Sequence, residues 1–87
     1  MSPQQHKIPV SETFLRVQKM LSDITGNEIV DIFPDSFIHE DLNMTPMELA
    51  QFLAQIEATF GIKLRRDDLE DFETIQDLVD EIDERLS

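Results

Sequence analysis

Apolar residues recur at spacings of three and four in several stretches of the chain, as they do in amphipathic helices packed around one core. In the first stretch, Ser11 is a good N-cap because a serine hydroxyl can accept a hydrogen bond from a free helix N–H. Gly26 is a good stop because glycine tolerates positive φ. These signals predict a first helix between Ser11 and Gly26. Its buried face is predicted to comprise Phe14, Leu15, Val17, Met20, Leu21 and Ile24.

The second stretch has the clearest helix start in the sequence, Thr45-Pro46-Met47-Glu48. This run predicts a capping box, in which the threonine accepts a hydrogen bond from the N–H of Glu48 and the glutamate accepts one from the N–H of Thr45. Pro46 then occupies the first helical position, where its missing N–H costs nothing. Gly61 ends the predicted helix. The apolar stripe is predicted to comprise Leu49, Leu53, Ile56 and Phe60, with Ala50 and Phe52 beside it.

Two further helices are predicted in the last third of the chain. The shorter one runs roughly from Arg66 to Asp71, with Leu69 and Phe72 facing inwards. The longer one begins after Thr74, which is a good N-cap residue. Its buried stripe is predicted to comprise Ile75, Leu78, Val79, Ile82 and Leu86.

A long connection, residues 28–43, joins the first two predicted helices. Pro34 disfavours helix at the residue before it. Connections of this length are uncommon unless they are functional or well packed, so apolar anchors are expected. The predicted anchors are Phe33, Phe37, Ile38 and Leu42. The fold class is therefore predicted to be all-α, a four-helix bundle with a long first loop and a short third helix, built from residues 11–87 behind a flexible tail at residues 1–10.

The net charge of the chain indicates which kinds of partner it can bind. Among 87 residues, Lys and Arg number 7 and Asp and Glu number 19, giving a net charge of -12. Such a field repels nucleic acid and anionic membrane surfaces and suits a protein partner with a basic surface. The alternative is that acidity only keeps a small protein soluble. Without an apolar run of roughly 20 residues or a signal-peptide core, the chain is expected to be cytoplasmic and not to span a membrane. It is also expected to be a monomer.

Residue types exclude several kinds of chemistry. The absence of cysteine excludes disulfides, thiolate catalysis and cysteine-ligated zinc. His6 and His39 have no second ligand at metal-binding spacing, and the acidic run at residues 67–73 lacks the glycine of a calcium loop. The sequence has no Gly-rich phosphate loop and no locally supported Ser/His/Asp arrangement. Neither a metal site nor enzymatic activity is expected.

The run EDLNMTPMEL at residues 40–49 resembles the prosthetic-group site of acyl and peptidyl carrier proteins, which is roughly E-D-L-G-x-D-S-L-x-x-x-E-L. The run EATFGIKL at residues 57–64 is similar to the family's E-x-x-F-G-I-x-I, and TIQDLV at residues 74–79 is similar to T-V-x-D-L-V. The resemblance covers about Ser11 to Leu86 and implies the carrier-protein four-helix bundle. It also implies a role in shuttling acyl or aminoacyl groups, because family members hold them on phosphopantetheine attached to the serine oxygen.

The same resemblance places Pro46 where the family has its serine, with Thr45, Met47 and Asn43 replacing the neighbouring aspartate, leucine and glycine. Proline offers no oxygen, so phosphopantetheine is predicted to be absent and no cofactor is expected. The chain is then expected to be a non-catalytic recognition module or scaffold for fatty-acid, polyketide or nonribosomal-peptide biosynthesis, bound to a synthase or transferase. Two alternatives stay open: a working carrier that uses Thr45 or Ser36, and an unrelated acidic helical adaptor.

The resemblance also suggests where a partner binds. Carrier proteins usually present an acidic second helix, whereas here most acidic residues lie from Asp67 onwards. The acidic face is either a docking surface or simply a solvated face. Phe52 and Met47 are expected to be core residues or part of a docking patch, rather than the lining of an acyl groove. The candidate partner-binding residues are Met47, Glu48, Gln51, Gln55, Asp67, Asp68, Glu70 and Asp71.

Overall fold

The computed structural model describes residues 11–87, so the prediction of a flexible tail at residues 1–10 lies outside the described part. The α-helices are α1 (Glu12–Thr25), α2 (Ile38–Leu42), α3 (Pro46–Phe60), α4 (Arg66–Glu70) and α5 (Ile75–Leu86), and a 3-10 turn spans Ile29–Asp31. The β-structure of the described residues is an isolated antiparallel bridge between Phe37 and Thr74. The predicted all-α class is confirmed.

The helix ends follow the local signals in the sequence. At the start of α1, the Ser11 hydroxyl oxygen accepts a 3.0 Å hydrogen bond from the Phe14 N–H. Gly26 ends this helix with φ 81°, and Gly61 ends α3 with φ 72°. Thr74 caps α5 by accepting a 3.2 Å hydrogen bond from an N–H in its first turn. The capping residues predicted for these three helices are therefore correct.

The core lies where α1 packs against α3 and α5. Burying each large apolar side chain contributes about 1.5–3 kcal/mol relative to leaving it exposed. Three of the four ion pairs of the described residues join largely exposed side chains, and the Arg85–Glu81 pair joins side chains that are 38% and 30% exposed. Ion pairs at a protein surface contribute about 0–1 kcal/mol each. Apolar packing therefore dominates the stability of the bundle. Fully buried side chains include Val17, Leu21, Phe52, Ile56, Leu69, Leu78, Val79 and Ile82.

Backbone hydrogen bonds attach the connection between α1 and α3 to the start of α5. The N–H groups of Ile38, Ile75 and Gln76 donate to the carbonyl oxygens of Glu73, Ser36 and Pro34, at 2.9, 3.0 and 2.8 Å respectively. Ser36 is buried, and its hydroxyl oxygen accepts a 2.9 Å hydrogen bond from the Phe33 N–H. These bonds hold the connection in one conformation over the bundle.

Two of the four predicted anchors of this connection are wrong. Ile38 and Leu42 are buried as predicted, whereas Phe33 and Phe37 are 53% and 45% exposed. Ile32 is buried instead of its neighbour Phe33. The backbone is extended at Ile32 (φ -107°, ψ 116°) and at Phe37 (φ -81°, ψ 129°), and adjacent side chains of an extended chain point to opposite sides. Burying Ile32 and Ile38 therefore turns both phenylalanines towards solvent.

Helix α2 was not predicted, because a single turn inside a long connection has too few residues to show periodicity. At its start, the Asp41 carboxylate accepts a 2.8 Å hydrogen bond from the Phe37 N–H. At its end, Asn43 adopts the left-handed conformation with φ 50° and ψ 50°. Asparagine is one of the few residues besides glycine that tolerate this region. Asn43 therefore ends α2 with the positive φ that a glycine would also supply.

Other corrections concern which helix positions face the core. Leu15 and Leu86 are each 51% exposed, so both were wrongly placed in buried stripes. Leu15 is rotated about 100° around the helix axis from buried Phe14, and Leu86 is the last residue of α5. The buried centre of α3 is Phe52 and Ile56. Ile56 was predicted in the stripe and is confirmed as buried, whereas the other three stripe residues, Leu49, Leu53 and Phe60, are half-buried at its edges, and Ala50 is exposed.

Candidate functional site

The first turn of α3 has the capping box that the sequence predicts. The Thr45 hydroxyl oxygen accepts a 3.1 Å hydrogen bond from the Glu48 N–H, and a Glu48 carboxylate oxygen accepts a 2.9 Å bond from the Thr45 N–H. Pro46 is the first residue of the helix. Side chains thus accept hydrogen bonds from two N–H groups at the helix start. Pro46 has no N–H group, so it needs no acceptor.

Hydroxyl groups near this helix start are already used in local structure. The side chain of Pro46 is a hydrocarbon ring and has no oxygen. Thr45 is exposed, but its hydroxyl oxygen is the acceptor of the capping bond. Ser36 is only 8% exposed, and its hydroxyl oxygen accepts the bond from the Phe33 N–H. Of the two hydroxyls, only that of Thr45 is open to an enzyme without a rearrangement of the connection.

The candidate partner-binding residues of α3 lie together on its surface. Met47, Gln51 and Gln55 are exposed and follow one another at intervals of four residues, so they share one face of the helix. Met47 is 73% exposed, which excludes it from the core, whereas Phe52 is fully buried and belongs to the core. Glu48 is partly exposed beside this face and is engaged in the capping box. The exposed face is therefore nearly uncharged.

The acidic candidates lie on and just after α4, which packs against α3. Asp67, Glu70 and Asp71 are exposed. Asp68 is half-buried, and its carboxylate accepts a 2.9 Å hydrogen bond from the Arg65 N–H, so it stabilises the start of α4. Asp67 forms a 3.5 Å ion pair with the Arg65 guanidinium. Only Glu70 and Asp71 of this group present carboxylates without such a local partner among the described residues.

No group of three or more His, Cys, Asp or Glu residues within residues 11–87 could hold a metal ion. His39 is exposed, and its Nε2 lies 3.4 Å from the carbonyl oxygen of Leu69. It therefore contacts the backbone of α4. The predicted absence of a ligand set for His6 lies outside the described residues.

One groove of about 320 Å³ lies between the ends of α1, α3 and α5. On α3 it is lined by Thr59 and Phe60, at the end of the helix opposite Pro46. A rise of 1.5 Å per residue puts Phe60 about 20 Å along the axis from Pro46. The groove therefore belongs to a different part of the surface from the helix start.

A group of exposed apolar side chains in the connection before α3 was not predicted: two of its members, Phe33 and Phe37, were predicted to be core anchors, and the other two, Ile29 and Val30, were given no role. We call this group the loop patch, and it comprises Ile29, Val30, Phe33 and Phe37. The neighbouring acidic residues do not separate these positions from the core, because Asp31 is adjacent both to exposed Val30 and to buried Ile32.

Comparison with known proteins identifies the family. Residues 15–82 match the family described as "Phosphopantetheine attachment site". The chain belongs to this family. The resemblance to carrier proteins is therefore confirmed, and the helical bundle agrees with it.

Several acyl carrier proteins are similar to the chain over most of their length. "Acyl carrier protein 2" of Pseudomonas aeruginosa is 32% identical over 71 residues, which cover 82% of this chain and 90% of the relative. An acyl carrier protein of Chlamydia trachomatis is 30% identical over 69 residues (79% and 90%). One of Thermotoga maritima is 27% identical over 75 residues (86% and 93%). Between residues 11 and 87, none of the described helices has the length and apolarity needed to cross a membrane.

Proposed function

We propose that this chain is an acyl carrier protein relative that does not receive phosphopantetheine. It acts instead as a cytoplasmic, monomeric recognition module or scaffold for enzymes of fatty-acid, polyketide or nonribosomal-peptide type biosynthesis. The observation behind the proposal is the proline at the start of α3. The residues on either side, 40–42 and 57–64, resemble the carrier-protein motifs at the same spacing, and in this register Pro46 takes the serine position.

The chemistry of attachment argues against loading at this position. Phosphopantetheine is joined to carrier proteins by a phosphodiester through a side-chain oxygen, and a pyrrolidine ring has none. The residues present at position 46 therefore do not fit the group. Thr45 is a poorer substitute because its hydroxyl oxygen already accepts the Glu48 N–H at 3.1 Å. Ser36 is a poorer one still, because this residue of the connection is only 8% exposed.

The start of α3 is well stabilised although it has no serine for attachment. An N-cap threonine contributes about 1 kcal/mol, and proline at the first helical position lowers the entropy of the unfolded chain. Both features stabilise α3 and present its exposed face in a fixed orientation. We assign partner recognition to this face, with Met47, Gln51 and Gln55 at its centre, and to the neighbouring acidic residues of α4. A net charge of -12 favours a partner with a basic surface.

The experiment is co-expression of the chain with a broad-specificity phosphopantetheinyl transferase, followed by intact-mass measurement. We expect the mass of the unmodified polypeptide. The matched variant combines Thr45→Asp and Pro46→Ser, which restores the D-S pair of the family motif, and we expect it to gain the mass of the arm. A carrier protein that retains its serine verifies that the transferase is active.

Modification of the unaltered chain would overturn the proposal and support the alternative of a working carrier. Peptide mapping would then identify the attachment residue. The exposed hydroxyl of Thr45 makes it the first residue to examine, and Thr45→Ala would abolish such modification. Modification at Ser36 would require the connection to detach from α5, because its hydroxyl is buried.

A further inference from the structure

We propose that the loop patch is a docking surface for a protein partner whose apolar contact region is bordered by lysine and arginine side chains. This inference rests on the proposed role of the chain as a recognition module. It adds a binding surface that precedes α3 in the chain and shares no residue with the α3 and α4 surface described above.

Of the seven exposed large apolar side chains within residues 11–87, four belong to the loop patch. Val30 is 71% exposed, and Ile29 is 41% exposed. Phe33 adds an aromatic side chain, a residue type that is enriched in protein interfaces. The α-carbons of Val30 and Phe33 are three residues apart and therefore lie within about 11 Å of each other. One partner contact region can therefore span both residues.

The segment that presents these side chains is held in place before any partner binds. The Gln18 side-chain amide, on α1, donates hydrogen bonds to the carbonyl oxygens of Ile29 and Ile32, at 3.0 and 2.8 Å. Ile32 itself is buried in the core. On the other side of Phe33, buried Ser36 is bonded to α5 through its carbonyl oxygen. A fixed segment loses little conformational freedom on binding, which favours affinity.

The charges around the loop patch define the partner. Residues 27–43 include no Lys or Arg, and their acidic residues are Glu28, Asp31, Asp35, Glu40 and Asp41. A complementary partner surrounds its apolar contact with basic groups. A second copy of this chain is disfavoured as the occupant, because two chains of net charge -12 repel each other.

The test uses defined peptides and isotope-labelled protein. The probe is a synthetic amphipathic helix of about five turns, with leucines on one face and lysines along both borders. A control peptide has the same apolar face but glutamates along its borders. We expect the lysine peptide to shift backbone amide resonances mainly within residues 28–37 and the glutamate peptide to leave them unchanged.

Matched variants identify the side chains responsible. The double substitution Val30→Ser with Phe33→Ser should weaken binding of the lysine peptide by about tenfold, because it removes two apolar contacts. Leu15→Ser is the control, since Leu15 is also about half exposed but lies on α1. It should leave affinity unchanged. Circular dichroism checks that both variants keep the helical fold.

The inference is overturned if resonance shifts centre on residues 47–55 or 67–71, if the glutamate peptide binds equally well, or if Leu15→Ser weakens binding as much as the double variant. Light scattering that shows dimers dependent on Val30 and Phe33 would also overturn it, in favour of self-association. The mass measurement described above is independent of these readouts. A loaded chain that still binds the lysine peptide at the loop patch would therefore refute the proposed function and leave this docking surface intact.

Discussion

Replacing Pro46 by serine should preserve the fold and lower its stability only slightly. Pro46 is the first residue of α3, where its missing N–H breaks no helical hydrogen bond. The capping bonds join Thr45 and Glu48, at 3.1 and 2.9 Å, and do not involve the side chain of residue 46. The substitution removes the restriction that proline imposes on the unfolded chain. This change lowers the free energy of unfolding by about 0.4–1 kcal/mol.

This loss of stability corresponds to a decrease in the melting temperature. For a domain of this size, 1 kcal/mol corresponds to about 4–8 °C, so Pro46→Ser should lower the Tm by about 2–8 °C. The assay is thermal and urea denaturation followed by far-UV circular dichroism. Thr45→Ala is the companion variant. It deletes the acceptor of the Glu48 N–H and should cost about 1 kcal/mol through a different mechanism.

The reasoning would be refuted if Pro46→Ser raised the stability or lowered it by more than about 2 kcal/mol. A rise would mean that the ring strains the first turn, and a large fall would mean that it makes contacts beyond its own backbone. The expected small effect implies that the bundle accepts a serine at position 46. The absence of a hydroxyl there would then be a chemical property of this chain that the fold does not require.

Three other substitutions, at two positions, test the connection before α3. Ser36→Ala should destabilise the fold by about 1–2 kcal/mol in urea denaturation, because it leaves the Phe33 N–H without its acceptor; an unchanged midpoint would show that water replaces the hydroxyl. Asn43→Ala should cost about 1 kcal/mol because alanine is strained at φ 50°, whereas Asn43→Gly should be neutral or stabilising. Equal effects of the last two variants would contradict the role given to the left-handed conformation.

The long helices could be predicted because their boundaries depend on nearby residues. Thr45 and Glu48 satisfy each other's N–H groups three positions apart, and Gly61 supplies the positive φ that ends α3. Ser11 and Thr74 act in the same local way at the starts of α1 and α5. Each signal involves residues within one helical turn, so no knowledge of the tertiary structure is needed.

The connection before α3 could not be predicted in the same way. Whether Ile32 or Phe33 enters the core depends on bonds to distant elements, such as the Ser36 carbonyl oxygen bonded to the Ile75 N–H. Composition gives no means of choosing between two adjacent apolar residues. The exposure of Val30 has the same origin, because only the folded connection determines which side chains face solvent.

Some features of the candidate site could be predicted from the sequence, and others could not. The absence of an oxygen at Pro46 is a matter of covalent chemistry and is readable from the sequence. Whether Met47 and Phe52 are core or surface was left open by the sequence, because both lie beside the apolar stripe. The structure assigns Phe52 to the core and leaves Met47 73% exposed. The role of Met47 in binding a partner stays a prediction.

The central claim is tested most directly by the intact mass of the chain purified from the cells that naturally produce it. If the chain is not loaded, the measured mass equals that of the polypeptide alone, and it is unchanged after incubation with phosphopantetheinyl transferase and coenzyme A. A species heavier by one phosphopantetheine arm would contradict the account.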